Sequence, residues 1–96
     1  MVSHARPDFA AAQGIVFAEL GDEAVLLNTE TGVYFGLDAV GTRIWKLLVE
    51  GASEEQIYAS LLDDYDVAPD SLREDLAAFM HQLEQRGLIS TAAVRS

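Results

Sequence analysis

The hydrophobic period of this chain changes once, after Leu37. Upstream of that point, apolar residues come in short extended runs. They are Ile15-Val16-Phe17-Ala18-Glu19-Leu20, Glu23-Ala24-Val25-Leu26-Leu27-Asn28 and Val33-Tyr34-Phe35-Gly36-Leu37. β-Branched and aromatic residues fit a pleated, half-buried surface, so each run reads as a strand. Downstream, Leu37, Val40, Ile44, Leu47 and Leu48 recur at helical spacing, with Trp45 beside that stripe. Two further helical stripes follow: Ile57, Tyr58, Leu61 and Leu62, then Leu72, Leu76, Phe79, Met80 and Leu83. A run of strands followed by a run of helices predicts an α+β domain. The expected architecture is winged-helix-like, a three-stranded antiparallel sheet followed by three helices.

The punctuation agrees with that division. Gly21-Asp22 and Thr29-Glu30-Thr31-Gly32 are turn sequences, with Gly32 free to adopt positive φ. Three strands joined by such short turns form a meander. Asp38 is placed to cap the first helix and Gly51 to stop it. Ser53 with Gln56 reads as a capping box for the second helix. Asp63, Asp64 and Asp66 oppose the dipole at its far end. Pro69 suits the first turn of the third helix, and Ser71 with Glu74 offers a second capping box. Arg86-Gly87 ends that helix, and Leu88-Ile89 follows as a packed stub. Residues 1–12 read as a loose arm, 14–89 as one folded domain and 90–96 as a mobile tail.

Composition narrows the function classes. Ninety-six residues, half of them hydrophobic, make one small globular domain over 1–96. The chain has no cysteine, which excludes disulfides and thiolate chemistry. No apolar run is long enough to span a membrane, and MVSHARPDF lacks an apolar signal region, so the expected compartment is the cytoplasm. Six basic residues stand against sixteen acidic ones, a net charge of −10. Nucleic-acid backbones are bound through Lys and Arg, so DNA and RNA are not expected partners. The third helix confirms the exclusion. Asp70, Glu74, Asp75 and Glu84 outweigh Arg73 and Arg86, the wrong sign for a groove-reading helix.

Catalytic chemistry has no foothold. His4 lies in the arm, and His81 lies opposite the apolar stripe of its helix, neither with a partner to position it. The Asp63, Asp64, Asp66 cluster lacks the glycine and closing glutamate of a calcium loop. No cofactor and no metal are expected. The strand Val33–Leu37 offers something else. It is an edge strand without Pro, Lys or any other charge to blunt it. An extended peptide can add to such an edge through main-chain hydrogen bonds, with side-chain pockets supplying specificity. Tyr34, Leu76, Phe79, Met80 and Leu83 are the candidate pocket walls, and their division between core and pocket stays open.

The order Thr31-Gly32, Tyr34-Phe35, Leu37-Asp38, Gly41, Ile44-Trp45 resembles the segment "tG.YF.Ln..G..IW.ll" of the PqqD-like proteins. Further matching features are Glu50-Gly51-Ala52-Ser53, Tyr65, Asp75-Leu76 with Phe79, and Leu83 followed by Gly87-Leu88-Ile89. Asp38 stands where the family usually has Asn, and both residues cap helices. The resemblance spans Ile15 to Ile89. It implies a non-catalytic recognition element for ribosomally made, modified peptides (RiPPs), one that holds a precursor's leader along the third strand beside the third helix. It further implies a separate modifying enzyme as second partner, most closely the leader peptidase of a lasso-peptide pathway.

On this basis the backbone of Thr31, Gly32, Val33, Tyr34 and Phe35 is expected to pair with the leader. Leu76, Phe79, Met80 and Leu83 are expected to line its pocket, and Arg73 and Asp75 to meet polar leader groups. Backbone bonds at about 1 kcal/mol each and two apolar anchors at about 1.5–3 kcal/mol each oppose about 2–5 kcal/mol of ordering cost. Micromolar affinity or somewhat tighter is expected of such a peptide chaperone. A monomer is expected, although an open edge also permits strand-exchanged dimers. The rivals are a PqqD-type chaperone for a radical enzyme, an adaptor that binds a folded protein through an acidic face, and an acidic winged-helix regulator.

Overall fold

The computed structural model describes residues 9–91. Their elements run β1 (Phe9–Ala11), β2 (Ile15–Leu20), β3 (Glu23–Asn28), β4 (Tyr34–Leu37), α1 (Ala39–Val49), α2 (Glu54–Asp64), α3 (Pro69–Gln85) and β5 (Ile89–Thr91). The three strands read from the sequence are β2, β3 and β4. They form an antiparallel sheet in the order β2-β3-β4, and the three helices follow it. Leu26 at the centre of β3 lies opposite Phe17 on one side and Phe35 on the other.

Alternation along the strands divides the sheet into two faces. Ala24, Leu26 and Leu37 are buried against the helices. Val16, Leu20 and Tyr34 are exposed on the opposite face. The core continues through Ile44, Trp45 and Leu48 of α1, Ile57 and Leu61 of α2, and Leu76, Met80 and Leu83 of α3. Each fully buried Leu of this set contributes roughly 1.5–3 kcal/mol relative to an exposed one.

Two of the expected caps are present. Asp38 accepts a hydrogen bond from the Gly41 N–H at 2.8 Å. The Ser53 hydroxyl accepts from the Gln56 N–H while the Gln56 side chain accepts from the Ser53 N–H, a complete capping box. Gly51 stops α1, its N–H donating to the Leu48 carbonyl. At the end of α3, Gly87 takes φ +73°, and Leu88 donates back to the Leu83 carbonyl at 2.9 Å. Only glycine enters that left-handed conformation without steric cost, so the chain reverses there.

Several expectations need correction. The Ser71–Glu74 capping box is absent, because α3 already starts at Pro69 with Ala68 as a cap that makes no side-chain bond. Proline's fixed φ opens the helix three residues earlier than a Ser71 cap would. The buried face of α1 is Gly41, Thr42, Ile44, Trp45 and Leu48, so Trp45 lies in the core while Val40 is exposed. Residues 9–12 are not a loose arm. Phe9–Ala11 pair antiparallel with Ile89–Thr91, and the Ala12 N–H donates to the Leu88 carbonyl at 3.0 Å. Residues 89–91 are correspondingly a strand rather than a stub and the start of a tail. The remainder of the arm, 1–8, and of the tail, 92–96, lies outside the described residues.

Candidate functional site: a free strand edge beside a groove

Asn28 organises the turn into β4. Its side-chain oxygen accepts from the N–H groups of Glu30 at 2.9 Å and Thr31 at 3.2 Å. Its amide nitrogen donates to the Gly87 carbonyl at 3.0 Å, tying the start of β4 to the end of α3. The residue is only 5% exposed. Its own N–H donates to the Val33 carbonyl at 2.8 Å. In an antiparallel pair, hydrogen-bonded and non-bonded positions alternate. The main-chain groups of Phe35 and Leu37 therefore point toward β3, and those of Tyr34 and Gly36 toward the open side. β4 is an edge of its sheet, so that open row has no strand against it among the described residues.

A groove of about 540 Å³ runs along this edge. One wall is Phe35, Gly36 and Leu37 with the first turn of α1, including Asp38 and Val40. The other wall is the face of α3 formed by Leu72, Asp75, Leu76, Phe79 and Gln82, positions three and four apart. Tyr65 and Val67, between α2 and α3, also line it. The Phe35 and Phe79 rings meet across the groove with centroids 6.3 Å apart, tilted by 50°. Gly41 permits the close approach of α1 to α3, because a Cβ there would lie 3.3 Å from the Phe79 ring.

The charges of the groove are sorted by end. Among the described residues that line it, Asp38 and Asp75 are the acidic ones and none is basic. At the other end the Arg86 guanidinium stands 5.2 Å from the centre of the Phe35 ring. Arg43, Lys46 and Arg73 are each in an ion pair, with Asp64, Glu19 and Glu55 respectively. Among the described residues Arg86 is the cation outside any ion pair.

The sequence-predicted site residues separate into three groups. Phe35, Asp75, Leu76 and Phe79 come together at the groove. Met80 and Leu83 do not; they are 2% and 0% exposed within the core. Tyr34 is 71% exposed and turns to the outer sheet face, with its main chain alone on the open edge. Thr31, Gly32 and Val33 form the turn at one end, where the Thr31 hydroxyl accepts from the Val33 N–H. Arg73 lies elsewhere. Its guanidinium donates to Glu55 at 2.8 Å and stacks 3.8 Å from the centre of the Tyr58 ring, joining α3 to α2. The hydrogen bond and charge of Arg73 hold the Glu55 carboxyl below its ordinary range, and the Glu55 bond raises Arg73 in turn.

The groove residues missed from the sequence are chiefly Gly36, Asp38, Val40, Leu72 and Gln82. The helical repeat through Asp75, Leu76 and Phe79 carried a signal for Leu72 and Gln82. Val40 shares a helical stripe with the buried Ile44, so spacing alone does not single it out as a groove residue. Among the described residues no group of three His, Asp or Glu side chains is arranged to hold a metal, and no helix is long and apolar enough to cross a membrane.

The fold has counterparts among solved structures. The structure of TbiB1 in complex with the TbiA(beta) leader peptide matches with a TM-score of 0.82 and 40% sequence identity. The match covers 88% of this chain and 99% of that one. A lasso peptide synthetase B1 complexed with the leader peptide matches with a TM-score of 0.79 and 25% identity, covering 86% of this chain and 98% of that one. No curated protein matches the chain. The family model of coenzyme PQQ synthesis protein D (PqqD) matches residues 23–89, from the start of β3 into β5. The chain belongs to the PqqD family.

Proposed function

We propose that this protein is a non-catalytic, lasso-type leader-binding element of a RiPP pathway. The observation that carries the reading is the unpaired edge of β4 lying directly beside an apolar groove. A leader segment adds to that edge as a fourth strand, antiparallel to β4, which continues the sheet type already present. The main-chain groups of Tyr34 and Gly36 bond to it, and alternate leader side chains enter the groove against Phe35, Leu76 and Phe79. Support comes from the two structural relatives, both of which are complexes with leader peptides.

The partner enzyme is a leader peptidase. The outer sheet face supports a protein partner, since Val16, Leu20 and Tyr34 lie exposed there. An added leader strand widens that face, so an enzyme docked on it would touch sheet and leader together. The likeness to a lasso peptide synthetase B1 favours a peptidase over a radical enzyme.

The test is a titration of isotope-labelled protein with synthetic TbiA(beta) leader peptide, for the native chain and for Gly36→Pro. Proline removes an outward N–H without removing a bond to β3, and edge strands tolerate it. Amide shifts confined to residues 31–38 and 72–86 are expected for the native chain. Gly36→Pro should keep its fold and weaken binding about five- to tenfold, the worth of a lost main-chain bond. The reading fails if saturating peptide moves no amide, or if the proline variant binds as well as the native chain.

A further inference from the structure

The groove has a charge direction as well as a shape, and we infer that it selects leaders carrying a cation several residues ahead of an acid. The inference rests on the leader-binding reading and adds the chemistry of the bound segment. One end of the groove holds two carboxylates, Asp38 and Asp75, with no cation lining it. The Asp38 carboxylate spends one oxygen on the Gly41 N–H. Asp75 is exposed, and its carboxylate makes no hydrogen bond or ion pair within the described residues. The opposite end is marked by Arg86, which covers the Phe35 ring and has no counter-ion among the described residues.

Asp75 lies within α3 and Arg86 is its C-cap, and both fall on the groove side of the helix by spacing. Eleven steps along the helix axis separate them by about 16 Å at 1.5 Å per step. An extended peptide covers that distance in about five residues at 3.3 Å each. β4 runs from the Arg86 end, at Phe35, toward Asp38. A strand added antiparallel runs the other way, so its N-terminal part lies beside Asp38 and Asp75 and its C-terminal part beside Arg86. The matching segment has Lys or Arg first, apolar residues against Phe79 and Leu76 in the middle, and Asp or Glu about five residues after the cation. A long aliphatic stem ending in a charge suits the first position, because the stem packs on Leu72 and Val40 while its head reaches the carboxylates. The reversed order would set like charges at both ends.

A display library of random sixteen-residue peptides tests this, selected separately on the native chain and on the double variant Asp75→Lys, Arg86→Glu. Both side chains are exposed, and unchanged thermal unfolding of the variant establishes that it is folded. The native chain should enrich peptides with the cation-then-acid order at a spacing of four to six residues, and the variant should enrich the inverse order. Resynthesised winners should lose about three- to tenfold in affinity on exchange between the two proteins, the range for partly exposed charge pairs. Enriched peptides with no charge order, or the same order on both proteins, overturn the charge inference while leaving leader binding in place. A native chain that enriches no peptide overturns leader binding itself, and the charge inference with it.

Discussion

At the scale of single residues, Asn28 does more than its neighbours suggest. It is buried, accepts from two turn N–H groups and donates to a carbonyl 59 positions away. Truncation removes all three bonds and leaves buried main-chain groups unsatisfied. Asn28→Ala should therefore lower unfolding free energy by about 1–3 kcal/mol, measured by chemical denaturation. Asn28→Asp keeps both acceptor bonds and loses only the donor to Gly87. If it proves as stable as the native chain, the tie between the β4 turn and the end of α3 is energetically idle. Half of this role was legible beforehand: an Asn followed by Thr29, Glu30, Thr31 and Gly32 is a turn-forming sequence. The bond to Gly87 was not, because no local pattern reports a partner so distant in the chain.

At the scale of elements, local chemistry carried most of the information. The caps at Asp38 and Ser53, the stops at Gly51 and Gly87 and the strand order all followed from residue type and spacing. What the sequence left open was the division of apolar residues between core and groove. Leu76, Phe79, Met80 and Leu83 form one stripe, and only the angle at which α3 crosses β4 sends Phe79 to the groove and Met80 inward. The rotation of α1 likewise depends on its neighbours, so the helical stripe alone did not place Val40 at the groove. The packing of α2 on α3 leads to a prediction about pH. The Glu55 carboxyl is held below its ordinary range by Arg73, so the folded state binds a proton less readily than the unfolded chain. The pair's contribution is then fully present above the unfolded glutamate range and lost as pH falls through the lowered folded value. Native protein should melt slightly above Glu55→Gln at neutral pH, and the two melting curves should converge in acid. A difference that persists unchanged in acid would rule the pair out as its source.

For the whole molecule, the ladder between β1 and β5 is the feature that sequence patterns left hidden. Phe9, Ala10 and Ala11 are too few and too plain to announce a strand, and they become one only because Ile89 to Thr91 lie alongside. Their pairing is the most non-local in the sheet register, so it closes late if closure entropy governs the order of folding. A permuted chain, joined from Thr91 to Phe9 by a short linker and opened at Gly21-Asp22, should fold and bind peptide within about threefold of the native chain, since chain ends that lie close together tolerate such rearrangement. Circular dichroism and peptide titration check both halves, and a permutant that folds but no longer binds would show that the groove depends on the hairpin tip. Phe9 lies opposite Thr91 in the ladder, so the two ends of the described chain leave the domain side by side. An enzyme tethered before the domain or after it would hang from the same spot on the surface. Gene order in a fusion would then have little say in how the groove faces its client.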